Sequence, residues 1–225
     1  MGVILNIETA TTNCSVSISK DGKILALKED NDKGYSHAER LHVYISDVLK
    51  DANITSSDLD AIAVSKGPGS YTGLRIGVST AKGLCFALDK PLISVPTLSA
   101  LAHQVKMDNG VIVAMLDARR MEVYSAIYDT NYNAIRETQA QILDETSFKG
   151  YLEQGNVYFV GNGVEKTKTI MHHPNAVFVE GKLPSAKEMG VLAQSKYEKN
   201  DLEDVAYFEP YYLKDFVALK PKTKK

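Results

Sequence analysis

Four turns in this sequence carry residue types that can hold a phosphate or a nucleoside. The first, Gly67-Pro68-Gly69-Ser70-Tyr71-Thr72, follows the short apolar run Ile62 to Val64 and feeds the apolar stretch Gly73 to Leu88. A glycine-rich turn opening a helix offers backbone N–H groups and a positive dipole end to an anion, which makes Gly67, Gly69 and Ser70 candidate phosphate contacts. The second turn, Glu8 to Ser15, brings Glu8, Thr11 and Thr12, whose hydroxyls and backbone can cradle a phosphate. On the other half of the chain, Asp117-Ala118-Arg119-Arg120 forms a turn, and Gly161-Asn162-Gly163 closes a strand where a nucleoside can lodge. Together these turns describe a cleft between two similar halves. Each alone has the composition of an ordinary tight turn. The P-loop pattern fails, because Gly73 is followed by Leu74 and Arg75 rather than Lys and Ser or Thr.

Other chemistries find weaker support. The histidines are His37, His42, His103, His172 and His173. His37 and His42 stand five apart, roughly 140° around a helix, so they do not clasp one ion as an i,i+4 pair does. His172-His173 reads as a surface doublet. No HExxH and no cysteine pair is present, and no protein metal site is expected. No G-x-S-x-G elbow occurs. Cys14 and Cys85 read as small buried residues of a strand and a helix, and Ser70 has no histidine implied beside it.

The elements that must position these turns follow from periodicity. Val3 to Ile7 is a buried strand. Cys14 to Ser19 alternates, with Cys14, Val16 and Ile18 on one face and three serines on the other. Asp21-Gly22 signals a hairpin into a third strand at Ile24 to Leu27. Ser36 with Glu39 makes a capping box for a helix reaching about Ala52. A strand at Ala61 to Val64, the helix from about Gly73 to Leu88 (capped by Thr72 or Ser70), a strand at Leu92 to Val95 and a short helix at Leu98 to Gln104 complete a β-β-β-α-β-α-β-α half. The second half opens with a strand pair at Val111 to Leu116 and Val123 to Tyr128. A weak strand at Gln139 to Leu143 and a short helix at Ser147 to Glu153 follow. Strands at Val157 to Val160 and Ala176 to Val179 then lead to a helix from Pro184-Ser185 to about Glu198. The two halves share only coarse similarity. The expected lobes are 1–105 and 106–225, with a return of the C-terminal segment to the first lobe left open. The lysine-rich tail Lys220 to Lys225, after Phe216, Val217 and Leu219, reads as a solvated terminus.

With 225 residues, 44% hydrophobic and 24% charged, the composition is that of a globular protein with a proper core. The formal net charge of −2 implies no general affinity for nucleic acid. Two distant cysteines suit a reducing, cytoplasmic setting, and the N terminus lacks the basic flank of a signal peptide.

The helix Gly73 to Leu88 holds only Arg75 and Lys82 as charges, and its apolar or small residues lie at all helical angles. One sheet covers one side of such a helix. Either it is sandwiched within one domain, or its other side meets a partner. Gly73, Gly77 and Ala81 form one smooth ridge, and Ser79, Thr80, Gly83 and Ala87 a second.

The run Gly67-Pro68-Gly69-Ser70-Tyr71-Thr72-Gly73-Leu74-Arg75-Ile76-Gly77 resembles the hallmark GPGS(F/Y)TGLRIG of the TsaB, or YeaZ, family. Further matching stretches are Ile7-Glu8-Thr9 to Ser15-Val16, Ser36-His37-Ala38-Glu39-Arg40-Leu41, Val95-Pro96-Thr97-Leu98, Met115 through Tyr124, Gly161-Asn162-Gly163 and Pro210-Tyr211-Tyr212-Leu213. The resemblance covers nearly the whole chain, in order. It implies an α/β, two-lobed, actin-like or sugar-kinase-like (ASKHA) fold, each lobe a mixed sheet with helices. It also implies a non-catalytic scaffold role in making threonylcarbamoyladenosine at position 37 of tRNAs that read ANN codons. The implied partners are a catalytic paralogue of the TsaD type, which carries a metal-binding His-x3-His motif absent here, and an ATPase of the TsaE type. The protein would form a homodimer when alone, and tRNA would be met through the complex, with no membrane involved. On residue types, the partner interface is expected at His37, Leu41, Tyr44 and Val48 on one helix and at Gly73, Ile76, Gly77, Thr80 and Gly83 on the other. A charge at Gly77 is expected to abolish pairing without unfolding the monomer. No cofactor is assigned; ATP or ADP remains open for the cleft. Glu8 replaces the Asp of related ATPases and Arg119 stands where a second phosphate turn wants Gly, which weakens the alternative of a stand-alone ATP-dependent phosphotransferase. A peptidase, an old label of the wider superfamily, finds no motif here.

Overall fold

The computed structural model describes residues 2–31 and 37–214. The Ser36 cap and the residues Phe216, Val217, Leu219 and Lys220 to Lys225 lie outside the described residues. In chain order the elements are β1 (Val3–Glu8), β2 (Cys14–Lys20), β3 (Lys23–Asp30), α1 (His37–Asp51), β4 (Ala61–Gly67), α2 (Tyr71–Leu88), β5 (Leu92–Pro96), α3 (Thr97–Ala102), β6 (Val111–Asp117), β7 (Glu122–Tyr128), β8 (Ala134–Ile142), α4 (Lys149–Leu152), β9 (Val157–Val160), α5 (Val164–Ile170), β10 (Ala176–Val179) and α6 (Ala186–Glu198).

They make two five-stranded sheets with strand orders β3-β2-β1-β4-β5 and β10-β9-β6-β7-β8. Written from each lobe's first strand, both orders are 3-2-1-4-5. In both, the first three strands form an antiparallel meander and the fourth and fifth add in parallel through helical crossovers. The halves thus repeat one β-β-β-α-β-α-β-α unit, a closer relation than the residues disclose, and the molecule is a two-lobed actin-like α/β fold. Two elements of the second half differ from expectation. The strand expected at Gln139 to Leu143 begins five residues earlier, at Ala134, because its residues sit on a largely exposed edge and lack an apolar pattern. The sequence reading also missed α5, whose residues VEKTKTI bury only Val164 and Thr167.

The cores follow the sheets. Leu5, Ile7, Val16 and Ile18 meet Leu41, Ile45 and Val48 of α1 and Val78, Ala81 and Cys85 of α2. On the other face of the same sheet, α6 packs Ala186, Met189 and Ala193 against Ile4, Ala61 and Ile93. The serine face of β2 is therefore covered as well. Ala186 N–H donates to Ser15 Oγ (3.0 Å), and Ser17 Oγ donates to Ala186 O (2.8 Å). Small hydroxyls here let the start of α6 approach the sheet and receive its backbone groups. In exchange, α3 of the first half packs on the second sheet, where Leu98 and Leu101 meet Ile112, Ala114 and Ala126.

Candidate functional site

The glycine turn after β4 is a packing junction filled from within the chain. Gly67 has φ +112°, and a Cβ there would lie 2.7 Å from the carbonyl oxygen of Tyr211. A Cβ on Gly69 would lie 2.5 Å from Ala10 O, one on Gly73 2.1 Å from Thr9 O, and one on Gly77 2.3 Å from Thr9 Oγ1. The β1–β2 turn is seated on this row: Ser70 N–H donates to Ala10 O (2.7 Å) and Thr9 Oγ1 donates to Gly73 O (2.8 Å). Ser70 caps α2, accepting from Gly73 N–H at 3.3 Å. Thr9 and Ala10 thus take much of the space that a phosphate cradle at Gly67, Gly69 and Ser70 would need.

Glu8 ends β1 at the floor of this junction and is fully buried. Its Oε1 accepts from Ala10 N–H at 2.6 Å, while Oε2 has no hydrogen-bond partner among the described residues. Burial pushes its carboxyl up to about 7, against the weaker opposing pull of hydrogen bonds from Ala10, Ser65 and Thr9. Ser65 and Thr97 share a 2.6 Å hydroxyl contact, and Thr97 Oγ1 accepts from Gly67 N–H at 3.1 Å, so a buried polar chain runs from Glu8 to the glycine turn. Thr11 Oγ1 accepts from Asn13 N–H (3.3 Å), and Thr12 Oγ1 donates to Asn31 Oδ1 (2.6 Å) at the surface.

The candidate residues of the second lobe form a separate cluster. Asp117, exposed at the end of β6, accepts from Lys166 Nζ at 2.6 Å, and that ammonium also donates to Arg120 O (2.6 Å) and Glu122 O (2.9 Å). Arg119 closes the turn at φ +71°, and its N–H donates to Asp117 Oδ1 (2.7 Å). Asn162 Oδ1 accepts from Asp117 N–H at 2.8 Å. Gly161, at φ +113°, and Gly163 are packing positions: an added Cβ would lie 2.1 Å from Met115 O at the first and 3.0 Å from Val123 Cγ1 at the second. Among the described residues no hydrogen bond joins this cluster directly to the first.

The interface expectation needs correction. His37, Leu41 and Val48 of α1 and Gly73 and Gly77 of α2 are buried inside the chain. They form the faces that meet the chain's own sheet and β1–β2 turn, because the small ridge on α2 serves Thr9 and not a partner. Gly77 carrying an acidic side chain would collide with Thr9, so that substitution tests folding. Tyr44, Ile76 and Thr80 are half-buried and Gly83 is exposed. They adjoin the outer face of α2, the second ridge of Ser79, Thr80, Gly83 and Ala87 read from spacing, to which the structure adds Phe86, 87% exposed. Val43 of α1 is 55% exposed.

A strap follows α6. Glu203 N–H donates to Leu92 O (2.8 Å), Lys82 Nζ donates to Ala206 O (3.1 Å) and Phe208 O (3.0 Å), and Tyr211 N–H donates to Lys66 O (2.7 Å). Tyr212 packs on Tyr71 with ring centroids 4.7 Å apart, and Lys214 pairs with Glu122 of the second sheet. The segment that carries Pro210-Tyr211-Tyr212-Leu213 therefore ties the glycine turn to both lobes.

Cys14 and Cys85 are buried, which pushes their thiols up to about 11 and about 12 and leaves them unreactive near neutrality. Among the described residues no three His, Cys, Asp or Glu side chains converge on one point, and no helix is long and apolar enough to cross a membrane.

A family model described as TsaD, tRNA N6-adenosine threonylcarbamoyltransferase, matches residues 32–222. The tRNA threonylcarbamoyladenosine biosynthesis protein TsaB of Escherichia coli K12 is 33% identical over 225 aligned residues, covering 96% of each chain. That of Haemophilus influenzae is 28% identical over 96% of this chain and 95% of its own. The solved structure of YeaZ from Pseudomonas aeruginosa superposes with a TM-score of 0.80 at 27% identity, over 95% of this chain and all of its own (100%). With the hallmark turn, the duplicated topology and this breadth of similarity, the chain belongs to the TsaB (YeaZ) family.

Proposed function

We propose that this chain acts in tRNA threonylcarbamoyladenosine biosynthesis as a non-catalytic, cytoplasmic subunit that docks on a TsaD-type catalytic paralogue. The name its relatives carry supports the pathway, and the TsaD description of the matching family model supports a partner of related fold. The observation that carries the docking is the outer face of α2. Phe86, Gly83, Ala87 and Ser79 leave an apolar and small-residue surface in solvent beside half-buried Ile76, Thr80 and Tyr44. Exposed small residues permit a second helix to approach closely, and an exposed aromatic is the type that anchors interfaces. Docking would favour the partner's competent lobe arrangement by population shift. A TsaE-type ATPase would join the pair, tRNA would be met through the complex, and the same face would support a homodimer when the partner is absent.

An independent ATP-dependent phosphotransferase is less well supported. A carboxyl held near neutrality at Glu8, and glycine turns occupied by Thr9, Ala10 and Met115, leave little to grip metal and phosphate. Light scattering on a mixture with the TsaD-type paralogue tests the reading. A one-to-one complex should form at the expense of the homodimer, and Phe86→Glu, on a side chain the fold does not use, should weaken it more than about tenfold. An undisturbed complex with Phe86→Glu would remove α2 from the interface, and no complex at all would remove the proposed role.

A further inference from the structure

A cavity of about 360 Å³ opens between the lobes, where Lys66, Gly67 and Pro96 of the first face the β7–β8 surface of the second. It lies in the size range of small-molecule pockets, about 300–1,000 Å³. Part of its lining is apolar, from Pro96, Ala126 and Ala134, Ser99 and Thr138 add hydroxyls, and Tyr211 of the strap forms one wall. Tyr132 forms another, fixed by donation of its hydroxyl to Val105 O (2.9 Å) and by stacking on His103 at 4.2 Å between centroids.

Three polar side chains of the lining, Tyr128, Lys66 and Glu137, have no hydrogen-bond or ion-pair partner among the described residues. Tyr128 is only 5% exposed, yet its hydroxyl has no hydrogen bond among the described residues. Burial, then the nearby Glu137 charge, push its phenol up, so it stays protonated. The protonated hydroxyl keeps its donor proton and its acceptor lone pairs for a bound ligand. Lys66 and Glu137 line the same cavity with opposite charges, and neither side chain pairs with the other or with any described residue. Two opposite charges held apart on the walls of one pocket select a ligand with two opposite charges of its own. A nucleotide or sugar phosphate offers nothing cationic to Glu137 and would meet repulsion there.

We propose that this interlobe pocket binds the zwitterion of a free amino acid with an aromatic side chain. The α-carboxylate goes to Lys66, the α-ammonium goes to Glu137 and the Tyr128 hydroxyl, and the flat side chain lies against Pro96 and the Tyr132 and Tyr211 walls. The charged hydrogen bonds set orientation, and the apolar part of the lining supplies the burial. Nothing in this assignment depends on the tRNA-modification role.

Calorimetric titration of the full chain with L-phenylalanine, L-phenylalanine amide and N-acetyl-L-phenylalanine tests it. L-Phenylalanine should bind, and each analogue, having lost one charge, should bind about tenfold more weakly. Glu137→Gln should weaken L-phenylalanine by a similar factor and leave N-acetyl-L-phenylalanine unchanged. Lys66→Met should show the converse with the amide. Tyr128→Phe should weaken the ligands that keep the ammonium. No binding at roughly 10 mM L-phenylalanine, a level that would put the affinity outside any useful range, overturns the proposal. Equal binding of all three compounds also overturns it, leaving a merely greasy slot. Because the analogue series runs on the unaltered chain, it decides the matter even if a variant misfolds.

Discussion

The two lobes place a glycine at the same point of the same topology and then use it differently. Gly67 ends β4 at φ +112°, and Gly161 follows β9 at φ +113°. Each releases its strand toward a helix, and each needs a conformation that residues with a Cβ rarely adopt. The helices beyond them diverge. In the first lobe the helix is α2, with 18 residues, and in the second it is α5, with seven. The preceding helices differ likewise, 15 residues in α1 against four in α4. The second lobe closes its own core with short helices, so long ones are not required by the topology. The extra length of α1 and α2 in the first lobe is therefore available for a task beyond folding, consistent with an outer face of α2 that the described residues leave exposed. The carboxylates at equivalent strand ends diverge in the same sense. Glu8 is sealed and partly unpartnered, whereas Asp117 sits at the surface on Lys166.

The largest effect should come from the shared glycine. Gly161→Ala forces a Cβ to 2.1 Å from Met115 O, on a central strand that cannot yield, and adds left-handed strain. It should lose about 3 kcal/mol or more of stability in urea unfolding. Gly67→Ala should lose less, because its nearest obstacle at 2.7 Å belongs to the strap and not to a sheet. Equal losses would mean that the strap is as rigid as a sheet strand, and the contrast between the junctions would disappear.

Glu8 comes next. Its folded carboxyl, about 7, lies above the ordinary 4.5. The folded state thus holds a proton that the unfolded chain gives up. The associated stability is complete below about 4.5 and is lost as pH rises through about 7, a span worth about 3 kcal/mol. Glu8→Gln keeps the shape without the charge and should flatten that slope. Chemical denaturation at pH 5 and pH 8 measures both. Asp117→Asn, exposed and solvated, should leave the slope as it is. A Glu8→Gln chain with an unaltered slope would place the titrating group elsewhere.

Lys166 tests the second lobe's answer to the same strand end. Its side chain is mostly covered and holds one carboxylate and two carbonyls. Lys166→Met should cost about 1–2 kcal/mol, more than an exposed ion pair supplies, because the carbonyls of the turn lose their donor. A loss near zero would show that water replaces the ammonium and that the turn holds itself.

Much of this architecture was legible in the residues, because strands and breakers were well separated. The order β-β-β-α-β-α-β-α of the first half comes from period-two runs, Asp21-Gly22 and the glycine turn. The duplication was not legible, since α5 carries almost no apolar stripe and β8 is an exposed edge without alternation. The covering of Ser15 and Ser17 was also hidden. An alternating strand declares one polar face, but small hydroxyls serve equally well for water and for the start of α6. The glycine ridge misled for a related reason. Spacing shows that something approaches Gly73 and Gly77 closely and does not show whether that neighbour belongs to the same chain. Thr9 is 64 residues from Gly73 in sequence, and only the fold brings its hydroxyl there.

The smallest expected effect separates these two kinds of glycine on a single helix. An added Cβ at Gly83 meets none of the described residues within 4 Å, in contrast to Gly73 and Gly77. Within the isolated chain, Gly83 is then only a weak point of α2, and Gly83→Ala should raise stability by about 0.5–1 kcal/mol through reduced backbone entropy of the unfolded chain. If the outer face of α2 receives a partner helix at close range, the same methyl group should weaken the complex while it strengthens the monomer. Urea unfolding of the subunit and light scattering of its mixture with the TsaD-type paralogue read the two quantities separately. A gain in stability with unchanged association would mean that the partner keeps its distance from Gly83 and that Phe86, one turn further along, bears the contact alone.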